Sequence, residues 1–196
     1  MIGVEEIRAA LAMPAPKTSS DFDYAPGLRP KARHLRTAAV LIALTEGPRG
    51  LEVIFTRRAS HLRNHPGQVA FPGGKVEEED AGLWEAALRE ADEEIGLKVA
   101  ERLGALEGHE SVTGFEISPQ VGLVRGGFSP LPDPEEVEEV FSVPLDFLVR
   151  PENMHLHMRE WRGARRGYLA IPFGPHYIWG ASARMIRNLA DRLEAL

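Results

Sequence analysis

Apolar positions recur at helical spacing near both ends of this chain and gather into short runs between them. Residues 4–13 predict a short amphipathic helix, and the Pro-containing stretch 14–30 predicts extended chain. Two apolar runs, 38–44 and 51–56, flank Glu46-Gly47-Pro48-Arg49-Gly50, a turn-rich connection that predicts a hairpin or a loop between neighbouring strands. Residues 68–71 predict a short strand that delivers the glycine pair Gly73-Gly74. Further strands are expected at 99–106, 117–124, 154–161, 168–172 and 176–179. Met185, Ile186, Leu189 and Leu193 mark the inner face of a closing helix over 181–195. Strands and helices in this irregular order predict an α/β layer structure on a mixed sheet.

The most ordered pattern lies over 81–95. Residues three and four apart share a helix face, so Trp84, Leu88, Ala91 and Ile95 form one stripe and Glu90, Glu93 and Glu94 another. Asp80 is expected as the N-cap and Gly96 as a left-handed C-cap.

Composition narrows the setting. With 196 residues, 43% of them hydrophobic, the chain can bury one substantial core, which predicts a domain over 36–196 preceded by a helix and arm over 1–35. A net charge of −6 argues against a general attraction to nucleic acid. No apolar run approaches the roughly 18 residues of a membrane span, and Glu5 and Glu6 stand where a secretory leader carries positive charge, so a soluble cytoplasmic protein is expected. The absence of cysteine excludes disulfides, thiol catalysis and Cys-based zinc sites.

Like charges on one helix face repel by a few tenths of a kcal/mol per pair, so three clustered glutamates call for a compensating charge. A solvated acidic face is the simpler explanation of a Glu-rich helix. The glycines at both ends and Arg89 beside Glu90 favour instead a site for a hard divalent cation, Mg²⁺ or Mn²⁺, held by Glu90, Glu93 and Glu94.

In its order Arg89-Glu90-Ala91, Glu93-Glu94 and Gly96-Leu97, this segment resembles the signature box of the Nudix hydrolases. The first half departs from the common form: counted from Gly74, the Arg-Glu pair arrives one residue late, and Glu79 or Asp80 stands where the box has its isolated Glu. Upstream, Thr56, Arg58, Ala59, Arg63, Gly67 and Phe71-Pro72-Gly73-Gly74 are similar in spacing to the additional motif of the coenzyme A pyrophosphatase branch, which shares the longer first half. A Glu-Val pair before Phe141 and Val143-Pro144-Leu145, and Ile178-Trp179-Gly180, extend the resemblance to about residues 36–190.

The charge distribution agrees with a polyphosphate ligand. Residues 55–76 hold three arginines, one lysine, two histidines and no acid, whereas 77–94 hold nine acids and one arginine. Arginine grips phosphate oxygens in bidentate fashion, and glycines admit a phosphate close to the backbone.

The resemblance implies a Nudix α/β/α sandwich and metal-dependent hydrolysis of a diphosphate by water. Arg89, Glu90, Glu93 and Glu94 are then catalytic, with Arg89 orienting the glutamates. Arg58, Arg63, Gly73 and Gly74 are expected to bind substrate. The implied substrate is coenzyme A or a derivative, cleaved to 3′,5′-ADP and 4′-phosphopantetheine or its acyl form. ADP-ribose or another nucleoside-diphosphate derivative is the alternative substrate, and a non-catalytic ligand sensor the alternative class. The general base stays open between a box glutamate and an outside acid, Glu136 or Glu139. His61 and His65 are weaker candidates for phosphate, and His155 and His157, on one strand face, lack a third donor for a metal. A small-molecule partner is expected, without nucleic acid or membrane, and a homodimer stays open.

Overall fold

The computed structural model describes residues 1–14, 18–98, 100–161 and 163–196. Helix α1 (Val4–Ala12) is followed by a two-residue strand β1 (Ser19–Ser20) and a 3₁₀ turn at Pro26–Leu28. The hairpin is β2 (Arg36–Gly47) and β3 (Gly50–Arg58); short strands β4 (Val69–Ala70) and β5 (Gly73–Lys75) lead into helix α2 (Leu83–Ile95). Then come β6 (Glu101–Ala105), β7 (His109–Glu110), β8 (Phe115–Val124), β9 (Val137–Pro144) and the single turn α3 (Leu145–Leu148). Strands β10 (His155–Trp161), β11 (Ala164–Phe173) and β12 (His176–Trp179) precede the closing helix α4 (Ala181–Glu194).

Nine strands form one mixed sheet. Strand β2 lies parallel to β8 and antiparallel to β3 and β5, while β9 pairs β3 on its other side. The period of two along β2 divides the core. Ile42 and Leu44 join Phe55, Val121 and Leu123 under α1, α3 and α4, whereas Ala39, Leu41 and Ala43 face Ala86, Ala87, Ala91 and Ile95 of α2. The small alanines on both partners let α2 sit close to the sheet. This is an α/β/α sandwich. Strands β10, β11 and β12 form a separate antiparallel sheet. Among the described residues no helix is long and apolar enough to cross a membrane.

Several expectations change. The stretch 14–30, read as extended, instead pairs β1 in parallel with β7 and then turns at Pro26–Leu28; residues 15–17 lie outside the described residues. The strand expected over 99–106 is β6, with Val99 outside the described residues. Glu138 and Glu139 lie within β9, where pairing with β3 overrides the low strand propensity of glutamate. Within 1–35, Ile7 and Ala10 are fully buried in the main core. Arg192 of α4 caps the end of α1 by donating to the carbonyls of Ala10, Leu11 and Met13 while paired with buried Glu107 at 3.0 Å.

Candidate active site

Helix α2 ends as its glycine predicts. Gly96 is left-handed (φ 72°), its amide donates to Asp92 O and that of Leu97 to Ala91 O, a closure of the αL type. The start differs from expectation: Gly82 is the N-cap, and Asp80, two residues too early to reach the first-turn amides, turns to Arg89. Its carboxylate takes both Nε (2.9 Å) and Nη2 (3.1 Å) of Arg89 as well as the Glu77 amide, and the hydrogen bonds from Arg89 hold it below the usual carboxylate range. The same guanidinium reaches Glu90 and Glu93, each at 3.0 Å, and donates to Lys75 O. Arg89 therefore orients the helix carboxylates. Arg89→Ala leaves three acids unpaired and is expected to destabilise the metal-free protein by about 1–3 kcal/mol, measured as a lowered melting temperature. An unchanged melting temperature would contradict this organising role.

Strand β5 closes over the helix. The Gly73 amide donates to Glu94 Oε2 at 3.1 Å, and Arg58 Nη1, at the end of β3, stands 3.8 Å from Glu94 Oε1. Glu94 is only 4% exposed, so it lies on the buried side of α2 rather than on a solvated stripe. Burial pushes its carboxyl up to about 8; the charges of Glu90 and Glu136 add to this, against the Gly73 amide and Arg58. Glu90 is raised by burial too, with Arg89 opposing and Glu93 and Glu136 adding. The charge of Glu136 therefore bears on both Glu90 and Glu94.

A Cβ on Gly74 would stand 2.4 Å from the Glu90 carboxylate, so the room it leaves is filled by that side chain. Glu93 is 59% exposed and held by Arg89. Among the described residues no three His, Asp or Glu side chains already converge on a single point. The donor set nevertheless fits a divalent cation: the carboxylates of buried Glu94, Glu90 and Glu93 offer only oxygen ligands, and among the described residues Glu94 has no positive charge nearer than Arg58 at 3.8 Å.

Other candidates separate. Arg63 lies exposed in the 59–68 loop and does not line the adjoining cavity. Glu139 turns away to Arg57 (3.0 Å) and His176 (3.6 Å), and His155 and His157 are exposed on β10. His65, with a left-handed φ of 54°, lines the cavity; His61 is exposed.

That cavity, about 510 Å³, opens beside Arg58 and is lined by Asp21, Arg159, Arg166, Tyr168 and Trp179 among others. None of these five was legible as a site residue, since their shared location arises from pairing between distant strands. Asp21 lies 3.3 Å from Arg166 and 3.4 Å from the ring of buried His109, and accepts from the Val112 amide. Burial alone would raise its carboxyl, but His109, Val112 and Arg166 together keep it below the ordinary value.

Against known proteins, the NUDIX domain model matches residues 34–162. Nudix hydrolase NudL of Enterobacter sp. (strain 638) is 43% identical over 171 residues, covering 83% of this chain and 88% of its own. The chain belongs to the Nudix hydrolase family. A second Nudix relative, the mitochondrial Nudix hydrolase 15 of Arabidopsis thaliana, is 40% identical over 80% of this chain, which spans 58% of that longer protein. The MutT/nudix family protein of Enterococcus faecalis shares the fold, with a TM-score of 0.53 at 14% identity over 85% of this chain and 65% of its own. As a Nudix hydrolase the protein is an enzyme acting on pyrophosphate bonds, in a family that generally uses divalent metals such as Mg²⁺ or Mn²⁺.

Proposed function

We propose that this Nudix hydrolase cleaves the diphosphate bond of coenzyme A or its derivatives, releasing 3′,5′-ADP and 4′-phosphopantetheine or its acyl form. The observation that carries the reading is the contact between Arg58 and Glu94. It joins the upstream segment that resembles the coenzyme A branch directly to the box helix, so the basic and acidic lobes of the sequence meet at one place.

In this reading Glu90, Glu93 and Glu94 hold Mg²⁺ or Mn²⁺. A bound divalent cation polarises phosphoryl oxygens and lowers the pKa of coordinated water. Arg58 grips the diphosphate beside Glu94, with its fork matched to phosphate oxygens. Arg89 keeps the glutamates in register. Glu136, whose charge bears on both Glu90 and Glu94 from outside the helix, is the base that takes the proton of the attacking water, in preference to Glu139, which is occupied by Arg57 and His176. Retention of Glu90, Glu93 and Glu94 supports catalysis over a sensor role.

The test is a panel of diphosphate substrates with Mg²⁺ or Mn²⁺ and product identification. Coenzyme A is expected to give 3′,5′-ADP and 4′-phosphopantetheine. Cleavage of ADP-ribose or dinucleoside polyphosphates with coenzyme A left intact overturns the branch assignment and favours a nucleoside-diphosphate substrate. Glu136→Gln is expected to lower kcat by roughly 10²-fold or more, as for loss of a general base. An unaltered kcat returns that role to a box glutamate.

A further inference from the structure

The register of the small sheet builds an aromatic and cationic wall. Along β11, Arg166, Tyr168 and Ala170 point to one face, because side chains alternate along a strand. Arg159 of β10 lies opposite Arg166, and Trp179 of β12 opposite Ala170, so all share that face. Tyr168 and Trp179 meet edge to face, centroids 5.4 Å apart and planes at 70°, and both are half-buried. The exposed Arg159 guanidinium lies over both rings, 5.7 Å from the first centroid and 5.2 Å from the second. These side chains line the same cavity as Arg58, which also stands 3.8 Å from Glu94.

We propose that this cavity is the seat of the heteroaromatic base of a nucleotide-bearing diphosphate, stacked in the corner of Tyr168 and Trp179 and covered by Arg159. A volume of about 510 Å³ is within the ordinary range for small-molecule sites and admits a base with its ribose. Two perpendicular π faces under a planar cation suit a flat, polar ring better than a flexible alkyl amide, which would gain little from the guanidinium. Arg58 both lines the cavity and stands 3.8 Å from Glu94, so a nucleotide seated here brings its diphosphate toward the carboxylates. Asp21, directly after β1, neutralises Arg166, which shapes the wall without adding free negative charge. The inference rests on reading the box carboxylates as the diphosphatase centre, but not on which nucleotide is cleaved.

The experiment is a ligand-observed NMR titration of the full chain with adenosine 5′-monophosphate, and with ribose 5-phosphate as the base-free control. Wild type, Trp179→Leu and Trp179→Phe are compared. Expected are magnetisation transfer to the base protons, a roughly tenfold or greater loss of nucleotide affinity in Trp179→Leu, near-wild-type affinity in Trp179→Phe, and no change for ribose 5-phosphate. Equal nucleotide affinity in all three proteins overturns the proposal, as does an equal loss for both ligands. If thermal melting shows Trp179→Leu to be unfolded, Arg159→Ala, at an exposed position, takes its place with the same expected direction. Turnover of diphosphates by the unaltered chain is read separately. Its absence with Trp179-dependent nucleotide binding counts against the diphosphatase reading, and its presence with binding indifferent to Trp179 counts against the base site alone.

Discussion

Glu94→Gln is expected to lower turnover by roughly 10²–10⁴-fold while raising the melting temperature of the metal-free protein. The two effects have one cause. Glu94 is buried, the charges of Glu90 and Glu136 add to its cost, and only the Gly73 amide and an Arg58 nitrogen 3.8 Å away favour its charge. Its carboxyl therefore titrates at about 8 rather than the ordinary 4.5. A raised folded-state value means that the unfolded chain gives up this proton first, so the contribution of this group to stability falls as pH rises from 4.5 to about 8. Above that range the ionised form carries the full cost of burial. The neutral amide of Gln removes that cost while still accepting from Gly73, and gives up the weak pairing with Arg58. The net gain is expected to be about 1–3 kcal/mol near pH 8, shrinking toward pH 5. Thermal melts in chelator across that range measure it, alongside kcat with saturating Mg²⁺. A variant that melts lower than wild type at pH 8, or that retains its turnover, would sink the assignment of Glu94 as a costly buried ligand.

Gly73→Ala is expected to be the most damaging small substitution in the chain. Gly73 has φ of 152°, and a Cβ there would stand 2.4 Å from Ala39 O and 2.6 Å from Val40 Cα. Both obstacles are backbone of β2, the strand at the centre of the sheet, and cannot rotate away. Strand β5 would have to leave its pairing of Val40 with Gly73. That movement would also draw the Gly73 amide away from Glu94. Strain plus the lost pairing is expected to cost about 2–4 kcal/mol, a fall in melting temperature of roughly 5–15 °C. Gly67→Ala is the internal control: its φ of 68° is left-handed, but no atom stands within 4 Å of the added carbon, so only a backbone cost of about 1 kcal/mol is expected. Equal effects of the two substitutions would show that the close approach of β5 to β2 does not constrain the site.

Local order explains what could be read in advance. The hairpin of β2 and β3, helix α2 with its Gly96 terminus and helix α4 each follow from spacing within one short window, where apolar period and glycine chemistry agree. Arg89 as organiser was legible for the same reason, since Glu90 and Glu93 lie within one helical turn of it. Asp80 lies near enough to the helix to suggest a cap, but a two-pronged hydrogen bond from Arg89 outweighs a single cap. A helical wheel puts Glu94 on one stripe with Glu90 and Glu93 but knows nothing of what packs against it. Strand β5 and Arg58 cover that position.

By itself the amino-acid order determined a mixed α/β chain with clustered carboxylates on one helix and a basic, glycine-bearing segment just upstream. These are properties of neighbouring residues, and short-range geometry suffices for them. Only the tertiary structure decided that Glu94 is buried, that Glu139 is held by Arg57 and His176, that Gly74 makes room for Glu90, and that Arg159, Tyr168 and Trp179 line one cavity. Each of those facts depends on strand register between segments far apart in the chain, where moving one residue along a strand turns every side chain to the opposite face.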